Sequence, residues 1–299
     1  MTRNKFSKIF LVINKFAGYR KKYSLAVYKV VSVLQENGCE VEYSYTNHPG
    51  HATELAFTAA SKGFELVVAV GGDGTVNEVA QGLIGTATPL GIVPMGSGNG
   101  LARDLGIPMN IKKSARLLVE GNLKLIDVCR INSQRFLCTA GIGFDALVAD
   151  KMAKAPTRGF LRYIQITLKE SIAFKPFKIK MKVNGLWIEK PVFLATFANA
   201  RQFGNNAFIA PKADISDGLM DVVVVRPFPK IWLPVFGIVL FLGIIPKLPV
   251  VEYHKAKQVE LQLAETPFFH FDGEPGKLKI PATIGVDREK LLVVAGGKK

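Results

Sequence analysis

The sequence predicts a chain in two parts: an α/β domain on a parallel sheet over residues 1–128, and a mainly antiparallel domain, a β-sandwich, over residues 129–299. Three observations carry that reading. The first 85 residues alternate short apolar runs with segments whose apolar residues fall at helical spacing, and this βαβαβα order calls for parallel strands with helices on both faces. Two glycine-rich loops each follow an apolar run and lead into a helical pattern, as at the strand ends of such sheets. Beyond about Val128 helical spacing thins and period-2 alternation takes over. No linker rich in glycine, serine or proline separates the parts, so a tight junction is expected.

Residues 9–13 read as the first strand, since no small-residue cleavage site follows them to suggest a signal peptide. A turn follows at Asn14, Lys15, Phe16, Ala17 and Gly18. Val27, Val30, Val31 and Leu34 mark one face of a helix over about residues 23–37, stopped by Gly38. Val41, Tyr43 and Tyr45 alternate as a second strand. Ala52, Leu55, Ala56 and Ala59 carry a second helix, which ends at Gly63. Leu66-Val67-Val68-Ala69-Val70 suits a strand buried on both faces. It runs into Gly71-Gly72-Asp73-Gly74 and a helix marked by Val76, Val79, Ala80 and Leu83, with Thr75 and Glu78 at the spacing of a capping box. A fourth strand over residues 90–93 leads to Met95-Gly96-Ser97-Gly98-Asn99-Gly100 and a short helix over 101–105.

In the second part, Gly141-Ile142-Gly143-Phe144-Asp145-Ala146 reads as a turn into a helix. Phe177, Ile179, Met181 and Val183 alternate with Lys178, Lys180 and Lys182, so one face of that strand is apolar and the other basic. Residues 192–199, 220–225, 259–263 and 290–294 read as further strands. Residues 231–246, IWLPVFGIVLFLGIIP, are the most apolar segment. They fall short of the roughly 20 residues a spanning helix needs, and Pro234, Gly237 and Gly243 interrupt them. A core helix is one reading; the wall of a lipid-entry cleft or a surface that dips into a membrane interface is the other.

Asp73 makes the first loop informative. Strand, glycine loop and helix N-terminus together offer backbone N–H groups to an anion, most often phosphate. A carboxylate there repels phosphate unless a cation, usually Mg²⁺, bridges the two or the carboxylate handles a proton. A plain strand-to-helix turn with Asp73 solvated is the alternative. No GxxxxGK[ST] loop occurs. With 39 basic and 24 acidic residues the net charge is +15, which favours anionic partners. Cys39, Cys129 and Cys138 form no CxxC pair and fit a reducing compartment. His48, His51, His254 and His270 have no metal-ligand spacing. By composition alone, Asp272-Gly273-Glu274-Pro275-Gly276 and Asp214-x-x-Asp217-Gly218 are polar turns.

Taken together and in order, Gly71-Gly72-Asp73-Gly74-Thr75-Val76-Asn77-Glu78, Pro89-Leu90-Gly91-Ile92-Val93-Pro94, Gly96-Ser97-Gly98-Asn99, Ile126-Asp127-Val128, the run from Ala210 to Asp221, and Phe271-Asp272-Gly273-Glu274-Pro275 resemble the diacylglycerol kinase catalytic-domain superfamily, which includes bacterial lipid kinases and sphingosine kinases. The resemblance covers nearly the whole chain. It implies a first domain like those of NAD kinase and phosphofructokinase and a second, lipid-acceptor sandwich. The active site would lie between them, and the chain end, near residues 288–299, would pack back on the first domain. It implies that Asn14, Lys15, Phe16, Ala17, Gly18, Thr46, Gly71, Gly72, Asp73, Gly74, Thr75, Val76, Asn77 and Ser97 bind nucleotide. Asp73 and Asp127 would organise catalytic Mg²⁺ and the acceptor, and Glu274 would be the general base, with Asp73 as its rival for that role. Asp214, Asp217 and the Leu219 carbonyl would form a structural Mg²⁺ site. Two departures stand out: Lys15 where the family usually has proline, and Gly100 where many bacterial diacylglycerol kinases have a carboxylate, which leaves the acceptor lipid open.

The expected function is therefore transfer of the γ-phosphoryl group of ATP to a lipid hydroxyl, with Mg²⁺, by a cytoplasmic protein associated peripherally with membrane. The expected partners are a lipid substrate and an anionic membrane surface, with a homodimer as the one protein assembly considered and no nucleic acid. The rivals are a soluble phosphotransferase of the NAD kinase type and a non-catalytic lipid-binding protein.

Overall fold

A computed structural model describes residues 6–14, 20–156, 159–263 and 268–297. In chain order the elements are β1 (Lys8–Ile13), α1 (Arg20–Glu36), β2 (Glu40–Tyr45), α2 (His51–Ser61), β3 (Leu66–Gly71), α3 (Asp73–Leu83), β4 (Leu90–Pro94), α4 (Gly100–Asp104), α5 (Ile111–Glu120) and β5 (Asn122–Ile131). Then come β6 (Gln134–Phe136), β7 (Thr139–Gly143), α6 (Phe144–Ala153), α7 (Phe160–Ala173), β8 (Phe177–Val183), β9 (Leu186–Val192), β10 (Leu194–Ala198), β11 (Met220–Val225), α8 (Leu233–Leu242), β12 (Val251–Ala256), β13 (Gln258–Gln262), β14 (Phe269–Phe271), β15 (Glu274–Gly276) and β16 (Ala282–Ala295). The chain forms two compact units, Met1–Ile126 with Glu289–Lys299, and Asp127–Arg288.

In the first unit the strands run parallel in the order β2-β1-β3-β4, and the last residues of β16 join beside β4 through Val293 and Leu90. Every residue of β3 is buried, which explains its unbroken Leu-Val-Val-Ala-Val run. On one face Leu66, Val68 and Val70 pack with Val30 and Leu34 of α1 and with Ala115 and Leu118 of α5. α2 and α3 pack against each other so closely that a Cβ on Gly82 would lie 2.4 Å from the Thr53 carbonyl oxygen. Asn110 caps α5 by accepting from the Lys113 amide.

The capping-box expectation at Thr75 and Glu78 does not hold. The N-cap of α3 is Gly72, with no side-chain cap bond. Glu78 instead accepts from the Ala52 amide at 3.2 Å, so its carboxylate serves the start of α2. A residue of α3 that faces the neighbouring helix meets that helix's unsatisfied first-turn donors before it meets its own.

The second unit contains two sheets. One is antiparallel in the order β12-β11-β10-β7-β14-β15. The other pairs β9, β8, β13 and the first residues of β16, also antiparallel. Phe197, Val222 and Val224 of the first share one core with Ile179, Met181 and Val259 of the second, which makes a sandwich. The unit is more helical than its sequence suggested, since α6, α7 and α8 all belong to it.

β8 buries Ile179, Met181 and Val183, as its alternation predicts. Its basic face is largely balanced: Lys178 lies 3.6 Å from Glu189, and Lys182 lies 3.6 Å from Glu260. α8 buries no residue, so the core-helix reading of residues 231–246 is overturned. Leu233, Phe236 and Leu240 rest partly buried on the core, while Ile231, Ile238 and Leu242 stand in solvent. Among the described residues no helix is long and apolar enough to cross a membrane.

Candidate active site

In the first unit, strand order reverses between β1 and β3, so their C-terminal ends flank the switch point where open α/β sheets bind ligands. Asn14 follows β1 and the first glycine loop follows β3. The Asn14 amide nitrogen Nδ2 donates to Thr75 Oγ1 at 3.0 Å, and its backbone N–H donates to the Val70 carbonyl. Thr46 is buried beside them, its N–H on the Ile13 carbonyl at 2.8 Å. Lys15, Phe16, Ala17 and Gly18 lie outside the described residues.

The two glycine loops meet backbone to backbone. A Cβ on Gly96 would lie 2.7 Å from the Gly72 Cα, and one on Gly71 would lie 2.6 Å from Thr75 Oγ1. Asp73, the first residue of α3, clips the loops together. Its Oδ2 accepts from the Asn99 amide at 2.8 Å and its Oδ1 from the Gly100 amide at 2.7 Å. Asn99 holds a left-handed conformation, φ 51°, and its side chain closes a ring with both the N–H and the carbonyl of Gly96. Burial raises the Asp73 carboxyl above its ordinary range, opposed by the two amide donors and the nearby Arg103 guanidinium. Gly74 and Asn77 are half-buried, Val76 is buried, and Ser97 is exposed on the second loop. A carboxylate offers about four acceptor positions, so Asp73 can serve both amides and still present oxygen to Mg²⁺, a hard cation that favours oxygen ligands.

The second unit gathers Asp127, Asp214, Asp217, Leu219 and Glu274 through a network that no single stretch of sequence shows. Asp127 is fully buried at the unit's edge of β5. Its Oδ2 accepts from the Gly218 amide at 2.7 Å, and its N–H donates to the Ile215 carbonyl at 2.7 Å. The acidic loop is thus pinned to β5. Asn199, which the sequence did not single out, donates through Nδ2 to the carbonyls of Asp127 and Leu137, each at 2.8 Å. Asp272 receives the next three amides, of Leu137, Cys138 and Thr139, at 2.8, 2.7 and 3.1 Å. Asp272 is left-handed at φ 48° and Gly273 follows at φ 80°, the pattern of a tight hairpin turn. This turn joins β14 to β15 and sets Glu274, exposed, opposite Phe271.

In the acidic loop, Asp214 Oδ1 accepts from the N–H and the hydroxyl of Ser216. Asp217 Oδ1 accepts from the Leu219 amide at 3.0 Å, and its Oδ2 meets Lys255 Nζ at 2.6 Å. The same ammonium is 3.6 Å from Asp221 Oδ2, so Lys255 supplies countercharge here. A cation bound through Asp217 would share or displace that ammonium.

Two histidine arrangements escaped the sequence. His270 is buried with Nε2 3.4 Å from Asp145 Oδ2, which also accepts from the Thr196 hydroxyl at 2.8 Å. His48, His51 and Glu54 bring ligand-type atoms within 4.8 Å of one another. The imidazoles of His48 and His51 stack at 21°, however, with Asn47 N–H donating to His51 Nδ1. Stacked rings direct their in-plane lone pairs side by side rather than toward one ion.

Comparison with known proteins agrees with this architecture. The family described as diacylglycerol kinase catalytic domain matches residues 8–131, and the YegS C-terminal NAD kinase beta sandwich-like domain matches residues 138–295. A diacylglycerol kinase of Mycobacterium tuberculosis is 31% identical over 270 residues, covering 88% of this chain and 87% of that protein. One of Bacillus subtilis is 28% identical, covering 89% of each. The crystal structure of a diacylglycerol kinase from Bacillus anthracis shares the fold with a TM-score of 0.79 at 24% identity, over 98% of each chain. The ordered motifs, the parallel-sheet unit, the sandwich unit and these relatives lead to one conclusion: the chain belongs to the diacylglycerol kinase family of lipid kinases.

Proposed function

We propose that the protein transfers the γ-phosphoryl group of ATP to the free hydroxyl of a diacylglycerol at an anionic, cytoplasmic membrane surface. The observation that carries this reading is the Asp73 clip, which fixes two glycine loops against each other at the switch point of the parallel sheet. The loops bring backbone close to the phosphates with no Cβ intervening, at the start of α3. Asn14 and Thr75 border the same edge. Mg²⁺, held at Asp73, would neutralise charge on the transferred group. Glu274, presented by the tight turn that Asp272 anchors, accepts the proton of the lipid hydroxyl as the oxygen attacks phosphorus. Loss of that proton turns a poor nucleophile into a competent one without a covalent enzyme intermediate.

Diacylglycerol is the acceptor that the curated relatives' names supply. The exposed apolar residues of α8 favour a lipid over a soluble acceptor such as NAD. The test is transfer from radiolabelled ATP in the presence of Mg²⁺ to a panel of diacylglycerol, sphingosine, ceramide and phosphatidylglycerol, with NAD beside them. Labelled phosphatidic acid is the expected product. Labelled NAD, or no transfer to any lipid, overturns the proposal.

A further inference from the structure

We propose that the exposed apolar face of the second unit, built from the 3-10 turn at Lys230–Trp232, from α8 and from the end of α7, is where the protein inserts into the interfacial layer of an anionic bilayer. The inference rests on the lipid-kinase reading and names the surface through which such a kinase would reach its substrate.

The helix is apolar around its whole circumference, and among the described residues one side of it packs on the core. Leu233, Phe236, Val239 and Leu240 lie against the core. Ile231, Val235, Ile238 and Leu242, spaced as one helical stripe, are 83, 41, 60 and 65% exposed. Helical apolar faces in a water-soluble unit are ordinarily turned inward, so a whole stripe turned outward marks a contact surface. Trp232, 56% exposed, stands at the head of the stripe, and tryptophan favours the boundary between headgroups and acyl chains.

The face extends beyond α8. Lys230 Nζ donates to the Ile172 carbonyl, tying the end of α7 to the 3-10 turn. Ile172, 73% exposed, therefore joins Ile231, and Leu168 and Leu161 continue the stripe along α7. A ladder of rings underneath fixes the two helices. Phe174, Phe193, Phe228 and Phe236 follow one another at 5.3, 5.2 and 5.4 Å between centroids.

Charge chooses the occupant. From Arg226 to Val251 the chain carries Arg226, Lys230 and Lys247 and no acidic residue. Lys169 and Lys175 flank the α7 part and are exposed. Cations rimming an apolar face match anionic headgroups around acyl chains. Glu170 of α7 and Glu252, which lies 3.6 Å from Arg226, are the carboxylates close to this face; they are outnumbered by Lys169, Lys175, Lys230 and Lys247, so a second copy meeting it would bring more like than opposite charge together. α8 has ten residues, so it lies in the interface rather than across the bilayer.

The experiment uses the full chain and vesicles of phosphatidylcholine, with or without phosphatidylglycerol. Ile231→Gln, Ile238→Gln and Leu242→Gln are combined in one variant. Leu186→Gln, at a position 73% exposed on β9 outside the face, is the control. The triple variant is expected to lose about tenfold or more in vesicle partitioning with an unchanged melting temperature, and the control to behave as wild type. Lys175→Glu with Lys247→Glu is expected to weaken binding to anionic vesicles only. Turnover is followed with a short-chain diacylglycerol dissolved as monomer and with long-chain diacylglycerol in the vesicles. The triple variant should keep the first and lose the second. If it binds and turns over vesicle substrate like wild type, the surface is wrong and the kinase reading stands. If wild type phosphorylates neither substrate while the triple variant loses vesicle binding, the kinase reading fails and the surface stands. A variant that changes only the mass in gel filtration, with vesicle binding intact, assigns the face to a second copy and overturns the proposal.

Discussion

The glycine loops of the first unit and the acidic network of the second are assembled in opposite ways. The loops are made of backbone. Gly72 and Gly96 face each other with no space for a Cβ, and one carboxylate, Asp73, fastens two amides. The second region is made of side chains, buried at Asp127 and Asn199 and half-buried at Asp272. Asp127, Asn199 and Asp272 hold three stretches that are far apart in sequence, and Glu274 rides on the turn that results. The contrast suits the two halves of phosphoryl transfer. A cradle for phosphate needs N–H groups at close range, whereas a base and a metal ligand need side chains fixed in place.

The comparison breaks first at Glu274. Replacing it with glutamine keeps the shape but removes the proton acceptor that we propose, and turnover is expected to fall by about 10²–10⁴-fold. ATP binding and melting temperature should be retained, because the substitution leaves Asp272 and the three amides it accepts in place behind the turn. Isothermal titration and a labelled-ATP assay check both halves. Turnover within a few-fold of wild type would move the base to Asp73.

Asp73→Asn sharpens the contrast. An amide can accept from one of the two loop amides but not from both, and it carries no charge for Mg²⁺. A turnover loss of roughly 10²–10³-fold is expected, comparable to removing one preorganised electrostatic partner. Burial already disfavours the charged form of this carboxyl, so the neutral variant should melt within a few degrees of wild type. A large stability loss would show that the first region, too, is built on its carboxylate.

Asp272→Ala should behave in the reverse manner. It strands three amides, and with a cost of about 1–3 kcal/mol for each buried unsatisfied group, partly relieved by water at this half-buried site, a loss of about 3 kcal/mol is expected in urea unfolding. Asp272→Asn, which keeps an acceptor, should lie between. Equal stability of all three proteins would remove Asp272 as the anchor of the turn.

The smallest effect concerns thiols. Burial pushes the Cys129 thiol well above its ordinary range and raises Cys39 as well, while Cys138 is half-buried. A native-state thiol titration at neutral pH should therefore label Cys138 first, with Cys39 and Cys129 reacting only on unfolding. Rapid labelling of all three would mean that the units open more readily than their cores suggest.

What the sequence discloses follows the same division. The first region is local: strand, glycines and helix sit within about twenty residues, and their order alone points to an anion cradle. The second is dispersed over residues 127, 199, 214–219 and 272–274, and only family resemblance gathers those turns. Asn199 carried no signal beyond its place at the end of the strand read over residues 192–199. α5 could have been found, since Asn110 precedes Ile111, Ala115 and Leu118 at helical spacing. Glu78 fitted a capping box, but sequence spacing does not reveal that α2 lies alongside. Residues 231–246 were ambiguous for a physical reason: a helix apolar on every side has no amphipathic direction, so its pattern reads alike in a core and on a surface.

Trp232 gives that surface an optical consequence. The chain has two tryptophans, and they occupy unlike settings. Trp187 lies on β9 beneath the ammonium groups of Lys180 and Lys182, at 5.2 and 5.9 Å from its ring, and outside the apolar face. Trp232 stands in water at the head of the stripe. Entry into a bilayer would exchange water for acyl chains around one indole and leave the other as an internal reference. Intrinsic emission would then shift to the blue in proportion to the bound fraction, and brominated lipids would quench only that component. A Trp187→Phe protein isolates the signal, so membrane association becomes measurable without a dye, a tag or a labelled lipid.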